Sequence, residues 1–135
     1  MAANAKGTFE VKLIPQTPQT SDPATHDASL GRMSIEKQFQ GDIEGTSRGE
    51  MLTAGTAVNG SGAYIAIEKV TATLHGQSGS FILYHQGVMT RGTPRLAISV
   101  VPDSGTGQLA GIAGTLDIEI VEGKHYYSFD YTLTS

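Results

Sequence analysis

Cysteine is absent from the chain. That one absence removes a disulfide framework, a thiolate metal site and a thiol nucleophile together. Charge is sparse: 16% of residues are charged, and the net charge is −4. The nine basic residues are scattered, with no cluster of Lys and Arg. Nucleic acid is therefore not an expected partner. No apolar run approaches the roughly 18 residues that a membrane-crossing helix needs, so no membrane partner is expected. The N-terminal stretch MAANAKGTFEV lacks a charged segment followed by an apolar one. It does not read as a signal peptide, and the cytoplasm is the expected location.

What is present is glycine and alternation. The 135 residues include 17 glycines and are 39% hydrophobic, enough for one domain with its own core. Ala63 to Gly87 carries the strongest signal. Tyr64, Ala66, Glu68, Val70, Ala72 and Leu74 share one face of a strand. Beyond a turn at His75-Gly76-Gln77-Ser78-Gly79, Phe81, Leu83 and His85 oppose Ile82 and Tyr84. Period-two alternation on both sides of a glycine turn predicts a β-hairpin.

The other segments follow the same rule. Gly7 to Ile14 sets Phe9, Val11 and Leu13 against Thr8, Glu10 and Lys12. Pro15 is expected to end that strand, and Pro15 to Ser29 is a proline-rich loop that includes His26. Leu30 to Gly41 puts Met33, Ile35, Lys37 and Phe39 on one face, so a lysine falls among apolar residues. Asp42 to Ala54 reads as a weaker strand broken by Gly45 and Gly49. A bulge there would exchange Glu50 and Met51 between faces. Asn59-Gly60-Ser61-Gly62 is a turn. Thr93 to Val101 is a strand with Pro94 near its start. Pro102 to Gly114 is a glycine-rich turn. Thr115 to Val121 and His125 to Leu133 form a last hairpin, with His125, Tyr127, Phe129, Tyr131 and Leu133 on one face.

The sum is an all-β chain of eight strands and no helix, expected as one domain over residues 1–135. Short connections predict antiparallel neighbours. Closing the sheet into an up-and-down barrel removes its two edges. A two-sheet sandwich is the alternative. An eight-stranded barrel is filled by side chains or holds one small ligand.

Several blocks carry a resemblance: GTFEV, KQFQGDIEGTSRGEML, YIAIEKVTATLHGQSGSFILYHQG, VVPDSGTGQLAGIAGTLDI and HYYSFDYTL. Together they resemble the bacterial DUF3224 family, small proteins of unknown function, over Gly7 to Leu133. That resemblance implies a calycin-type barrel similar to allene oxide cyclase. GTGQLAGIAGTLDI is similar to a glycine block of those cyclases and of plant dirigent proteins, with Leu109 where an aromatic is common and Ile112 where Ala would stand. Those relatives hold greasy small molecules and steer a cyclisation or a coupling. Their first-strand acid could be matched only by Glu10, which alternation turns outward when Phe9 points inward.

If the faces rich in large apolar residues point inward, Lys37, Tyr64, Glu68, His85, His125, Tyr127 and Tyr131 point inward with Phe81. Buried charges need partners, and Lys37 and Glu68 suit one another. His85 and His125 come from different strands and are candidates to converge. Polar groups beside apolar walls are the pattern of a ligand site. Glu68, His85 and His125 are the candidate acid–base residues. A structural network, or inverted parity with these groups in solvent, is the competing expectation. No close-spaced ligand pair suggests a metal. SGTG at Ser104 to Gly107 lacks the lysine and helix of a phosphate loop, so no cofactor is expected. Ser47, Ser78 and Ser80 lie in no G-x-S-x-G setting, and His75 is expected to be a solvated loop residue.

The expected function is binding of a small, mostly apolar ligand, with an isomerase- or cyclase-like activity as its extension. The alternative is a structural or interaction protein with a filled barrel. Ile65, Ile67, Ile82 and Tyr84 would form an apolar patch outside the barrel, which predicts a homo-oligomer, a dimer or a trimer.

Overall fold

A computed structural model describes residues 2–15 and 29–134. The expectations for the loop between Pro15 and Ser29, His26 among them, lie outside the described residues. The strands are β1 (Ala2–Pro15), β2 (Ser29–Gly41), β3 (Ile43–Gly55), β4 (Gly62–Leu74), β5 (Gln77–Thr90), β6 (Thr93–Val100), β7 (Ala113–Val121) and β8 (Lys124–Thr132). They pair in sequence order as a closed antiparallel barrel. Closure comes from β1, which pairs with β2 along one edge and with β8 along the other.

Three local expectations change. β1 starts at Ala2 rather than Gly7, because Ala2 to Phe9 supplies the edge that β8 needs. Pro15 is itself the last residue of β1, a terminal position where its missing N–H is tolerated. β3 runs unbroken through Gly45 and Gly49. A Cβ at Gly45 would stand 2.3 Å from the Thr71 carbonyl oxygen, and one at Gly49 would stand 1.9 Å from that of Ile67. These glycines do not break the strand; they let β3 press onto β4. Parity is therefore kept: Ser47 is buried and Glu50 is exposed beside Arg32.

The hairpin turns are tighter than expected. His75-Gly76, Arg91-Gly92 and Glu122-Gly123 each put both residues at positive φ. That is the twist-matched two-residue turn of antiparallel hairpins, with glycine in the second position.

One end of the barrel is filled. Phe39, Ile43, Leu74, Phe81 and Phe129 belong to one buried cluster, and Phe81 stacks on Phe129 at 5.5 Å. Each such ring contributes about 1.5–3 kcal/mol through burial. The 101–112 segment, expected as a simple turn, seals this end. β6 is short and meets β7 only at Ser99 and Thr115. Past it, the chain continues along β5: Val101 N–H donates to the Ile82 carbonyl at 2.8 Å, and Thr106 N–H donates to that of Ser80 at 2.8 Å. A single 3-10 turn, Gly107–Leu109, then drives Leu109 into the core, where it is fully buried.

The other end is open. Leu13, Met89, Leu96 and Ile120 take inward parity, yet remain 41–62% exposed. They form an apolar mouth.

Candidate functional site

Four neighbouring strands each contribute one inward polar side chain: Lys37 from β2, Ser47 from β3, Glu68 from β4 and His85 from β5. Register brings them level. Lys37 is paired with Ser47, Glu68 with Gly49, and His85 with Ala66. Gly49 and Ala66 leave the room that the longer side chains occupy. All four polar residues are buried, Glu68 completely.

Glu68 is the hub. Its Oε2 accepts from Lys37 Nζ at 2.7 Å and from His85 Nε2 at 2.5 Å, and its Oε1 accepts from Ser47 Oγ at 2.6 Å. Burial pushes the Glu68 carboxyl up, but the His85 hydrogen bond and the Lys37 charge outweigh it, and the group ionises at about 2. It is a carboxylate at neutral pH. The Lys37 ammonium also lies 4.9 Å from the Phe9 ring centroid, a cation–π contact that helps replace lost water. Pairs of this kind seldom add net stability, because each ion loses several kcal/mol of hydration, about as much as the pair regains.

His85 has its Nε2–H committed to Glu68. Among the described residues nothing bonds to its Nδ1. No side-chain nitrogen or oxygen sealed from solvent lacks a partner among those residues. The Nδ1 therefore keeps contact with accessible space. Above it stands Tyr64, half-buried, with its ring centroid 6.2 Å from that of His85. Tyr64 lies across Gly87, where a Cβ would come 2.3 Å from the ring. Burial, then the Glu68 charge, raises the Tyr64 hydroxyl above the ordinary tyrosine value, so it is a phenol at neutral pH.

Tyr64 and Gly87 floor a cleft of about 620 Å³ at the open mouth, walled by Met51, Met89, Leu96 and Ile120. Its lining is almost wholly apolar. A wider groove of about 980 Å³ runs along the outer wall beside Lys6, Asp117, Glu119 and Tyr126. None of the buried charged groups reaches it.

The structure thus brings together Lys37, Glu68 and His85, with Tyr64 above them. Ser47 joins them unforeseen. Its only signal was inward parity on β3, which the two glycines obscured. His125 does not join His85; its ring tilts against Phe9 at 5.1 Å. Phe81, Tyr127 and Tyr131 belong to the filled half. Tyr127 Oη accepts from Ile43 N–H at 2.8 Å and donates to the Gln40 carbonyl at 3.0 Å. Tyr131 Oη is hydrogen-bonded to His75 Nδ1 at 2.5 Å, and His75 Nε2 lies 3.5 Å from Asp42 Oδ2. His75 is therefore tied to the barrel end rather than simply solvated. Glu10 is exposed on the outer wall, so no first-strand acid enters the interior.

A small barrel plugged at one end and open at the other, with a buried ion-pair cluster under an apolar mouth, defines the general class. The chain belongs to the family described as Protein of unknown function (DUF3224), whose profile matches residues 5–131. A crystal structure of a DUF3224 protein of unknown function from Shewanella oneidensis MR-1 is similar, with 44% identity and a TM-score of 0.92. The match covers 100% of this chain and 99% of that one. No curated protein matches the chain. No helix among the described residues is long and apolar enough to cross a membrane.

Proposed function

We propose that the protein binds a small, mostly apolar molecule in the open mouth, with the polar end of that molecule directed at Tyr64 and His85. One observation carries the reading: an almost wholly apolar cleft is floored by Tyr64, whose ring lies 6.2 Å from that of His85 in a buried, charged cluster. A barrel selected for stability alone would fill that half with apolar side chains, as it fills the other half. The likeness of the GTGQLAGIAGTLDI block to allene oxide cyclases and dirigent proteins supports the same reading, since those proteins hold greasy molecules in a barrel. An isomerase- or cyclase-like activity is the extension of it.

The test is occupancy. Protein purified without refolding is extracted and analysed by mass spectrometry, and methyl NMR follows Met51 and Met89 as extracted or added apolar compounds are titrated. Saturable shifts at both methionines are expected. Shifts confined to the outer-wall groove near Tyr126 would overturn the reading in favour of a non-catalytic barrel that works through its surface.

The outer wall supports self-association as well. Leu52, Ile65, Ile67 and Tyr84 are 42–59% exposed and lie on adjacent strands β3, β4 and β5. Leu52 is paired with Ile65, and Ile67 with Tyr84. Contiguous apolar surface of this kind is normally covered by a second copy or another partner.

A further inference from the structure

We propose that His85 is a proton-transfer group acting on a β,γ-unsaturated carbonyl compound bound in the mouth, with Tyr64 donating to the carbonyl oxygen and Glu68 holding the imidazole. The inference rests on the binding reading above and adds a reaction class to it: a 1,3-proton shift that brings an alkene into conjugation with a carbonyl.

Two unsatisfied polar groups of complementary character lie at the base of an otherwise apolar cleft: Tyr64 lines it, and the buried His85 ring lies behind Tyr64, 6.2 Å away between centroids. One is a base. The Glu68 carboxylate can only accept, so Nε2 carries the hydrogen of their bond, and Nδ1 is the ring nitrogen left without a partner among the described residues. The other is an acid. The Tyr64 hydroxyl has no hydrogen-bond partner among the described residues, and it stays a phenol at neutral pH. A ligand with a single carbonyl and an acidic C–H beside it satisfies both groups and leaves its remaining surface to Met51, Met89, Leu96 and Ile120. A carboxylate fixed on the far nitrogen also stabilises the imidazolium that forms when Nδ1 takes a proton.

The step balances without a co-reactant. His85 Nδ1 removes the proton from the carbon between the carbonyl and the alkene. The C–H electron pair enters a dienolate, whose oxygen accepts the Tyr64 hydrogen bond. The imidazolium then returns the same proton to the γ-carbon, and neutral His85 is restored. Nothing is oxidised or reduced. The Tyr64 ring stands between the cleft and the His85 ring, and rotation of this half-exposed ring, an ordinary motion for a rim side chain, admits the substrate. Glu68 touches no reacting atom and is a positioning residue.

The experiment uses the full chain with two probes, β,γ-cyclohexenone and the β,γ-isomer of androstenedione. Conversion is read from the ultraviolet absorbance of the conjugated product, and occupancy from the Met51 and Met89 methyl signals. Wild type is expected to isomerise at least one probe above the buffer rate. His85→Gln keeps an amide donor for Glu68 but has no basic nitrogen, and should lose about 100-fold or more. Tyr64→Phe should lose on the order of 10- to 100-fold. Nitrogen chemical shifts should report the Nε2–H tautomer of His85 in wild type and a mixed tautomer in the Lys37→Met/Glu68→Gln pair. An unchanged tautomer would overturn the role given to Glu68. Bound ketone without conversion, or full activity in His85→Gln, overturns the proton-transfer inference and leaves ligand binding intact. Absence of methyl shifts with both ketones overturns the two together.

Discussion

Glu68→Gln removes one negative charge from the centre of the barrel and almost nothing else. Lys37, 8% exposed, then keeps its ammonium group with no carboxylate to face. Stranding a buried charge in this way costs about 3–5 kcal/mol. Adding Lys37→Met removes the stranded charge and should recover most of that loss. Acid titration gives a second, independent magnitude. Glu68 ionises at about 2 in the folded chain against an ordinary 4.5, because the His85 hydrogen bond and the Lys37 charge overcome the cost of burial. Between those values the unfolded chain binds a proton that the folded chain does not, so falling pH favours unfolding. The contribution is complete above the unfolded value and is lost as pH falls through the folded one. Between about pH 6 and about pH 3 it amounts to about 2 kcal/mol. Urea denaturation followed by far-ultraviolet circular dichroism at the two pH values measures it. Wild type should lose about 2 kcal/mol more than the Lys37→Met/Glu68→Gln protein over that interval. Equal losses would refute the assignment of Glu68 as a buried, stabilised carboxylate.

Three further outcomes are expected. Gly49→Ala sets a Cβ 1.9 Å from the Ile67 carbonyl oxygen; the β3–β4 ladder must shift, at a cost of about 1–3 kcal/mol in a urea titration. Leu109→Ala empties the plug and should lose about 2–5 kcal/mol by the same method; a loss under about 1 kcal/mol would mean that the 101–112 segment does not seal the barrel. Ile67→Lys places a charge in the middle of the outer apolar stripe. Sedimentation velocity should find wild type as a dimer or trimer and the variant as a monomer of unchanged melting temperature, and a monomeric wild type at high concentration would remove the self-association proposal.

Much of the architecture is legible in the chain because side-chain direction in a strand is a local property. Ile35 and Phe39 set the inward face of β2, and Lys37 between them has no choice but to follow. Tyr64, Ala66, Glu68 and Val70 set β4 in the same way, and Phe81, Leu83 and His85 set β5. The X-Gly turns announce the hairpins. Legibility fails where alternation is weak or where glycine stands in for a long-range contact. Ala2 to Lys6 carries too few large residues to mark a strand, and only pairing with β8 reveals it. Gly45 and Gly49 read as breaks when the neighbouring strand is unseen; against β4 they are the condition for a continuous ladder, and the inward direction of Ser47 follows from that. Pro102 to Gly114 reads as a turn, and its plug becomes visible only when β6 is seen to stop short of the barrel end.

Alternation alone therefore determined that the chain is all-β, that it forms eight strands, and that Lys37, Glu68 and His85 face inward. Tertiary structure decided which of those groups meet. Contact across a barrel depends on the register of every pair of strands at once, and on where closure between β1 and β8 sets the stagger. That is why His85 reaches Glu68 while His125, equally inward by its own alternation, rests against Phe9. It is also why one half of the barrel is packed solid and the other stands open above a buried carboxylate.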